Sequence, residues 1–80
     1  MQDFKCYVTR RLSLRGKPVV AEYSFTALVM DDDGEWQWRN VWELCGDGED
    51  ECYLMGNNGV LVPLRGQWEA TDHPFVNGDL

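Results

Sequence analysis

The stretch VVAEYSFTALVM–DDDGE–WQWRNVWEL, residues 19–44, decides the fold. Its first part is rich in β-branched and aromatic residues, and an apolar or aromatic side chain occupies every second position from Ala21 to Val29. That period of two is typical of a β-strand. The segment DDDGE follows, and its Asp33-Gly34 dipeptide favours the positive φ angles of a hairpin turn. Residues 19–30 are therefore predicted to form the first strand of a hairpin.

Residues 36–45 fit two periods. One face at period two carries Trp36, Trp38, Asn40, Trp42 and Leu44, whereas helical spacing groups Trp38, Val41, Trp42 and Cys45. We favour a strand, because the segment follows a hairpin turn and Gly46 stops it after about nine residues. A short helix packed on the sheet is the alternative. The sequence leaves open whether Trp36, Trp38 and Trp42 belong to the core or to an interface.

Turn signals divide the rest of the chain into further strands. An alternating segment runs from Phe4 towards Leu14 and ends at the turn RGKP. Two short apolar runs, residues 52–55 and 60–64, are joined by GNNG, and Pro63 predicts that the last strand lies at an edge or near a bulge. The prediction is a mainly β fold, a single small antiparallel sheet or partly closed barrel of about five strands. Hairpins connect the strands, and at most one short helix is expected.

The 80 residues predict one small acidic domain, residues 1–80, because no repeat or linker divides them. Residues 67–80 carry Trp68 and Phe75 without a period, so we expect a loosely docked C-terminal tail. The longest apolar run, residues 27–30, is too short to span a bilayer, and residues 1–5 do not resemble a secretory signal. The expected location is the cytoplasm.

No catalytic or metal motif is recognisable. The odd number of cysteines (Cys6, Cys45 and Cys52) predicts reduced thiols, and whether any of them forms a disulfide stays open. The chain has no CxxC motif and a single histidine, His73, which argues against a zinc site. The acidic turn departs from a calcium-binding EF-hand loop, since Trp36 stands where that loop needs glycine. We expect no enzymatic activity and no cofactor.

The charges are sorted along the chain. Residues 1–30 have a net charge of +3 and residues 31–80 a net charge of −10, and nine acids fall between Asp31 and Glu51. Such density destabilises the fold through self-repulsion and disfavours binding to nucleic acid or to an anionic membrane. It predicts a basic protein partner. The candidate partner-binding residues are Asp31, Asp32, Asp33, Glu35, Trp36, Asp47, Glu49, Asp50 and Glu51.

In its size, in its charge and in the acidic segments DDDGE (31–35) and DGEDE (47–51), the chain resembles the small phage-encoded anti-CRISPR and anti-restriction proteins. This resemblance is one of overall character and transfers no site residue. It implies a viral protein that acts in the host-cell cytoplasm. Many members of those families bind the basic groove in which an effector complex holds nucleic acid.

The leading hypothesis is a non-enzymatic inhibitor. It would bind a basic surface of a host-defence complex, with a CRISPR-Cas effector subunit suspected, and block target DNA binding by acidic mimicry. The alternative is a small accessory or structural β-domain that binds a protein partner or itself, in which the acids serve solubility only. The complementary charges of two copies also favour a weak homodimer, although the sequence leaves the oligomeric state open.

Overall fold

The computed structural model describes residues 9–45 and 51–77, and these residues form one sheet of six strands. The strands are β1 (Thr9–Leu14), β2 (Lys17–Met30), β3 (Trp36–Leu44), β4 (Tyr53–Met55), β5 (Leu61–Pro63) and β6 (Trp68–Thr71). A single 3₁₀ turn, Asn57–Gly59, joins β4 to β5, and the described residues contain no α-helix. The predicted mainly β class is confirmed, and residues 36–44 are a strand rather than a helix. The first residues of the predicted N-terminal strand, among them Cys6, lie outside the described residues.

The strands follow the order β1-β2-β3-β4-β5, and every ladder is antiparallel. The sheet curls, since an isolated bridge between Ser13 and Val60 brings the end of β1 to the start of β5. The result is a half-closed barrel. Pro63 ends β5, the last strand of this order, which agrees with its inability to donate a ladder hydrogen bond.

A bulge divides β2 into two halves. Tyr23 pairs with Trp42 and Phe25 pairs with Val41, so Ser24 is an extra residue in β2. One inserted residue turns the following side chains to the opposite face of the sheet. The alternating residues from Ala21 to Val29 therefore do not share one face, and the core forms two clusters. The first comprises Ala21, Tyr23, Trp42, Tyr53, Met55 and Leu61, and the second comprises Ala27, Val29, Val41 and Leu54.

The two halves of β2 pair with different strands along the edge that faces away from β3. The first half pairs with β1 as far as Glu22, and the second half pairs with β6 between Thr26 and Val29. Residues 67–77 are thus not the loose tail that we expected, because four of them extend the sheet as β6. The free edge left where the β1 ladder ends explains this, and four residues are too few to show a period. Across residues 9–45 and 51–77 there is no helix of the length and apolarity needed to cross a bilayer.

Candidate protein-binding face

One face of β3 is covered along part of its length. Alternation along the strand points Trp36, Trp38, Asn40 and Trp42 to the same side of the sheet. The segment that follows β6 packs on this side. Phe75 meets the rings of Trp42 and Tyr23 edge to face, with centroid distances of 6.0 and 5.1 Å. Trp42 is completely buried beneath it and belongs to the core.

Asn40 fixes this covering segment. Its Nδ2 donates to the carbonyl oxygen of Val76 at 2.8 Å, and its Oδ1 accepts the N–H of Val76 at the same distance. The side-chain amide of Asn40 thus makes the two hydrogen bonds to the Val76 backbone that a residue of a neighbouring strand would otherwise make. Thr26 and Asn40 are both completely buried, and the hydroxyl of Thr26 lies 3.2 Å from the carbonyl oxygen of Pro74. The covering segment is therefore held by polar contacts to two buried side chains.

The cover ends at His73. The imidazole of His73 stacks on the indole of Trp38 with a centroid distance of 4.2 Å and an interplanar angle of 24°. Its Nδ1 lies 2.8 Å from the carbonyl oxygen of Pro74, so Nδ1 carries the proton of this hydrogen bond. Trp36 lies beyond the reach of this cover. Trp36 and Trp38 are 42% and 43% exposed, so both lie at the surface, in contrast to Trp42.

The exposed indoles continue an apolar surface across the sheet. Met30 on β2 pairs with Trp36, and Leu28 pairs with Trp38 on one side and with Glu69 of β6 on the other. Directly paired residues of antiparallel strands project to the same face. We call Leu28, Met30, Trp36 and Trp38 the Trp36–Trp38 face. Exposed carboxylates adjoin it in register or in sequence, with Glu69 in the row of Trp38, Glu35 directly before Trp36 and Asp72 directly before His73.

The acids of the β2–β3 turn have two different roles. The Oδ1 atom of Asp31 accepts the N–H groups of Asp33 and Glu35, each at 2.9 Å, and its Oδ2 lies 3.4 Å from Nε2 of Gln37. Asp31 therefore builds the turn, and the N–H of Glu35 is the main reason why the pKa of the Asp31 carboxyl lies below its ordinary value. Asp32, Asp33 and Glu35 are exposed beside Trp36.

Asp31 makes the stability of the hairpin depend on pH. A lowered pKa in the folded state means that the carboxylate stabilises the fold above the unfolded pKa and that this contribution disappears as the pH falls through the folded pKa. We expect the stability advantage of the native protein over Asp31→Asn to shrink between about pH 6 and about pH 3. Urea unfolding at the two pH values measures it. The matched control Asp32→Asn removes a neighbouring carboxylate that takes no part in these turn hydrogen bonds, and an equal pH effect in both variants would contradict the role of Asp31.

Glu51, the described member of the second group of predicted acids, follows the other end of β3. Trp36 and Leu44, the two ends of this nine-residue strand, lie about 27 Å apart. Glu51 is exposed and accepts a hydrogen bond from the Tyr53 hydroxyl at 2.8 Å. Asp47, Glu49 and Asp50 lie outside the described residues. Asp32, Asp33, Glu35 and Trp36 are thus neighbours along the chain at one end of β3, and Glu51 is separated from them by the length of the strand.

The Cys45 thiol and the Ser24 hydroxyl have structural partners. Cys45 is a free thiol. Its pKa is raised mainly by burial and further by a hydrogen bond to Glu22, which disfavours the reactive thiolate. The hydroxyl of Ser24 donates to the carboxylate of Glu43 at 2.6 Å. Within residues 9–45 and 51–77, no three histidine, cysteine or acidic side chains are grouped to hold a metal ion.

Sequence reasoning did not assign Trp38 to this surface, nor Glu69, Asp72 and His73 to its surroundings. The period of β3 places Trp38 beside Trp36, so that signal was available. Glu69 and His73 gave no signal, because only the pairing of β6 with β2 brings them to the face. No protein-family model, curated protein or solved structure matches the chain. The fold itself defines the class, a small antiparallel β domain with an exposed tryptophan face.

Proposed function

We propose that the chain is a non-enzymatic inhibitor that binds a basic, nucleic-acid-binding surface of another protein and blocks it. One observation carries the proposal: Trp36 and Trp38 are exposed side by side on a face bordered by exposed carboxylates. Apolar groups left together at the surface of a small domain mark interaction sites. Tryptophan is enriched among the residues that dominate binding energy, and clustered acids complement a partner rich in Lys and Arg.

The mechanism is competition. The carboxylates of Asp32, Asp33 and Glu35 project from the end of the hairpin and take the place of phosphates on the basic surface. The indoles beside them add apolar burial that a nucleic acid backbone lacks. A host-defence effector complex that holds DNA in a Lys/Arg groove, such as a CRISPR effector, is the partner class that the size and charge of the chain favour.

The acids of the β2–β3 turn provide the first test. The immobilised chain captures proteins from a nuclease-treated bacterial lysate, and we expect the captured proteins to be released by added DNA. We expect capture to fall roughly ten-fold between about 50 and about 200 mM salt, because several charge pairs are screened together. The triple variant Asp32→Asn, Asp33→Asn, Glu35→Gln, which retains the turn-forming Asp31, should lose most of the capture.

A second triple variant is the matched control. Asp47→Asn, Glu49→Gln, Asp50→Asn removes the same number of charges from the other acidic loop, so a general charge effect predicts equal losses for both variants. We expect the smaller loss in this control, since the turn acids directly precede Trp36 in the chain. Capture that neither DNA nor salt reverses would overturn the proposal and favour an accessory β-domain.

The order of addition tests competition directly. A guide-loaded CRISPR effector is mixed with the chain before or after its target DNA, and DNA retention is measured by gel shift. Blocking of the groove predicts loss of DNA binding when the chain is added first and little loss when DNA is bound first. If every effector type in a panel retains its DNA whichever of the two is added first, the CRISPR assignment is wrong. The capture experiment then decides whether the chain binds other nucleic-acid-binding proteins.

A further inference from the structure

We propose that the Trp36–Trp38 face recognises arginine side chains of the partner protein, in preference to lysine. The inference rests on the proposed function and names the chemistry of its contact. A guanidinium would stack on the exposed indoles, while Glu69, in the row of Trp38, accepts its N–H groups. The surface combines the three elements that bind arginine: an aromatic plane, an apolar floor and a carboxylate.

The register of the sheet sets the dimensions of the contact. Leu28 lies between Trp38 and Glu69 in one row across three strands, so the Cα atoms of the two outer residues are about 10 Å apart. An arginine stem lying over Leu28 reaches the indole with its guanidinium plane and the carboxylate with its N–H groups. Leu28 is half-buried and Glu69 is exposed, which leaves the row open to solvent.

The indole of Trp38 is covered in part by His73 and is otherwise accessible in part to solvent. His73 occupies one face of the indole at a centroid distance of 4.2 Å, while 43% of Trp38 remains exposed. Arg39, the basic residue next in sequence, points to the other face of the sheet, where Nη2 donates to the carbonyl oxygen of Met55 at 2.8 Å. The arginine that stacks on Trp38 must therefore come from elsewhere.

Guanidinium chemistry fits this surface better than an ammonium does. The guanidinium is planar and weakly hydrated, so it stacks on an aromatic ring while its N–H fork pairs with a carboxylate. The lysine ammonium is a compact and strongly hydrated charge that gains less from the ring. Arginine and lysine carry the same charge and are attracted equally by the acids of the β2–β3 turn. A preference for arginine must therefore come from the Trp36–Trp38 face and the carboxylate beside it.

A foreign protein is a better source of this arginine than a second copy of the chain. Four described arginines are exposed. Arg10, Arg11 and Arg15 belong to β1 and its turn, which adjoin the opposite half of β2, and Arg65 lines the same cavity as Asp31 and Asp32. A second copy would have to bring them to the face against the repulsion between two chains of net charge −7. A basic partner meets no such repulsion.

Two peptides of equal length and charge test the preference. The probes are acetylated (Gly-Arg)₄ and (Gly-Lys)₄, titrated into the intact chain, and binding is followed by calorimetry and by the NMR signals of the four indole N–H groups. We expect the arginine peptide to bind about 3- to 10-fold more tightly. The signals of Trp36 and Trp38 should shift, and those of Trp42 and Trp68 should not.

Variants locate the preference. Trp38→Ala should abolish it, and Glu69→Gln should reduce it about three-fold. Trp68→Ala should leave the preference unchanged, because Trp68 is exposed but packs near Phe25 on the other face. Amide spectra check the fold of each variant, and the exposed Glu69 keeps the test decisive if Trp38→Ala fails to fold.

The other outcomes overturn the inference in distinguishable ways. Equal binding of both peptides refutes arginine recognition but leaves acidic competition intact. If neither peptide binds while lysate capture succeeds, the inference alone fails, and if capture fails too, both proposals fall. A mass of two chains that Trp38→Ala converts to one would assign the face to a second copy and refute a foreign arginine.

Discussion

Asn40→Ala should remove about 2–4 kcal/mol from the free energy of unfolding and release the segment that covers Trp42. The wild-type amide satisfies both the N–H and the carbonyl of Val76 at 2.8 Å, and Asn40 is completely buried. Deleting it leaves these two backbone groups without partners. An 80-residue domain has only about 4–12 kcal/mol in total, so the loss is a large fraction. Urea unfolding measures it, and hydrogen exchange at the amide of Val76 reports the local release.

Asn40→Asp separates hydrogen bonding from packing. The substitution keeps the shape of the side chain but sets a carboxylate oxygen against the carbonyl of Val76, where Nδ2 donated. At neutral pH we expect it to be at least as destabilising as Asn40→Ala, because a charge is also buried. Protonation restores a donor, so the raised folded pKa of the introduced carboxyl makes the stability of this variant recover relative to Asn40→Ala as the pH falls. Asn57→Ala, at an exposed turn residue, is the control, and an equal loss in Asn57→Ala and Asn40→Ala would refute the role of Asn40.

The turns and strand types could be predicted because their signals are local. Gly34 has a φ of 83°, and Asn58 and Gly59 have φ angles of 60° and 75°, as the turn dipeptides indicate. The indoles of β3 alternate as their period requires. The turn-forming role of Asp31 also had a local signal, since aspartate at the first position of a turn accepts backbone N–H groups. Counting it with the exposed acids of the site overlooked that signal.

The bulge and β6 could not be predicted, because their causes are not local. Residues 21–29 keep alternating through Ser24, and only the partner strand reveals the extra residue. The clue in hindsight is Thr26, a buried hydroxyl that lies 2.7 Å from the Tyr23 hydroxyl on the face the bulge creates. Likewise, Trp68–Thr71 becomes a strand because β2 offers it an edge. The position of His73 over Trp38, and with it half of the candidate site, depends on that pairing.

The division of the tryptophans into core and surface predicts the largest difference between matched variants. Trp42→Ala should cost about 3–5 kcal/mol, enough to unfold a marginal domain, because a completely buried indole packed against Tyr23 and Phe75 is deleted. Trp36→Ala should cost less than about 1 kcal/mol, since its side chain is 42% exposed. Circular dichroism and urea unfolding compare the two, and similar losses would contradict the assignment of Trp36 to the surface.

Trp42→Phe tests the polar atom of the buried indole. The Nε1 atom of Trp42 is buried and has no hydrogen-bond partner among the described residues. A buried donor without an acceptor costs about 1–3 kcal/mol, so its removal offsets part of the packing lost with the smaller ring. We expect Trp42→Phe to lose only about 1–2 kcal/mol and to keep the edge-to-face contact with Phe75. A loss as large as that of Trp42→Ala would mean that the indole shape, rather than burial of an aromatic ring, is what the core requires. The surface indoles, whose N–H groups can bond to water, have no such penalty to relieve, so Trp36→Phe should leave the stability unchanged.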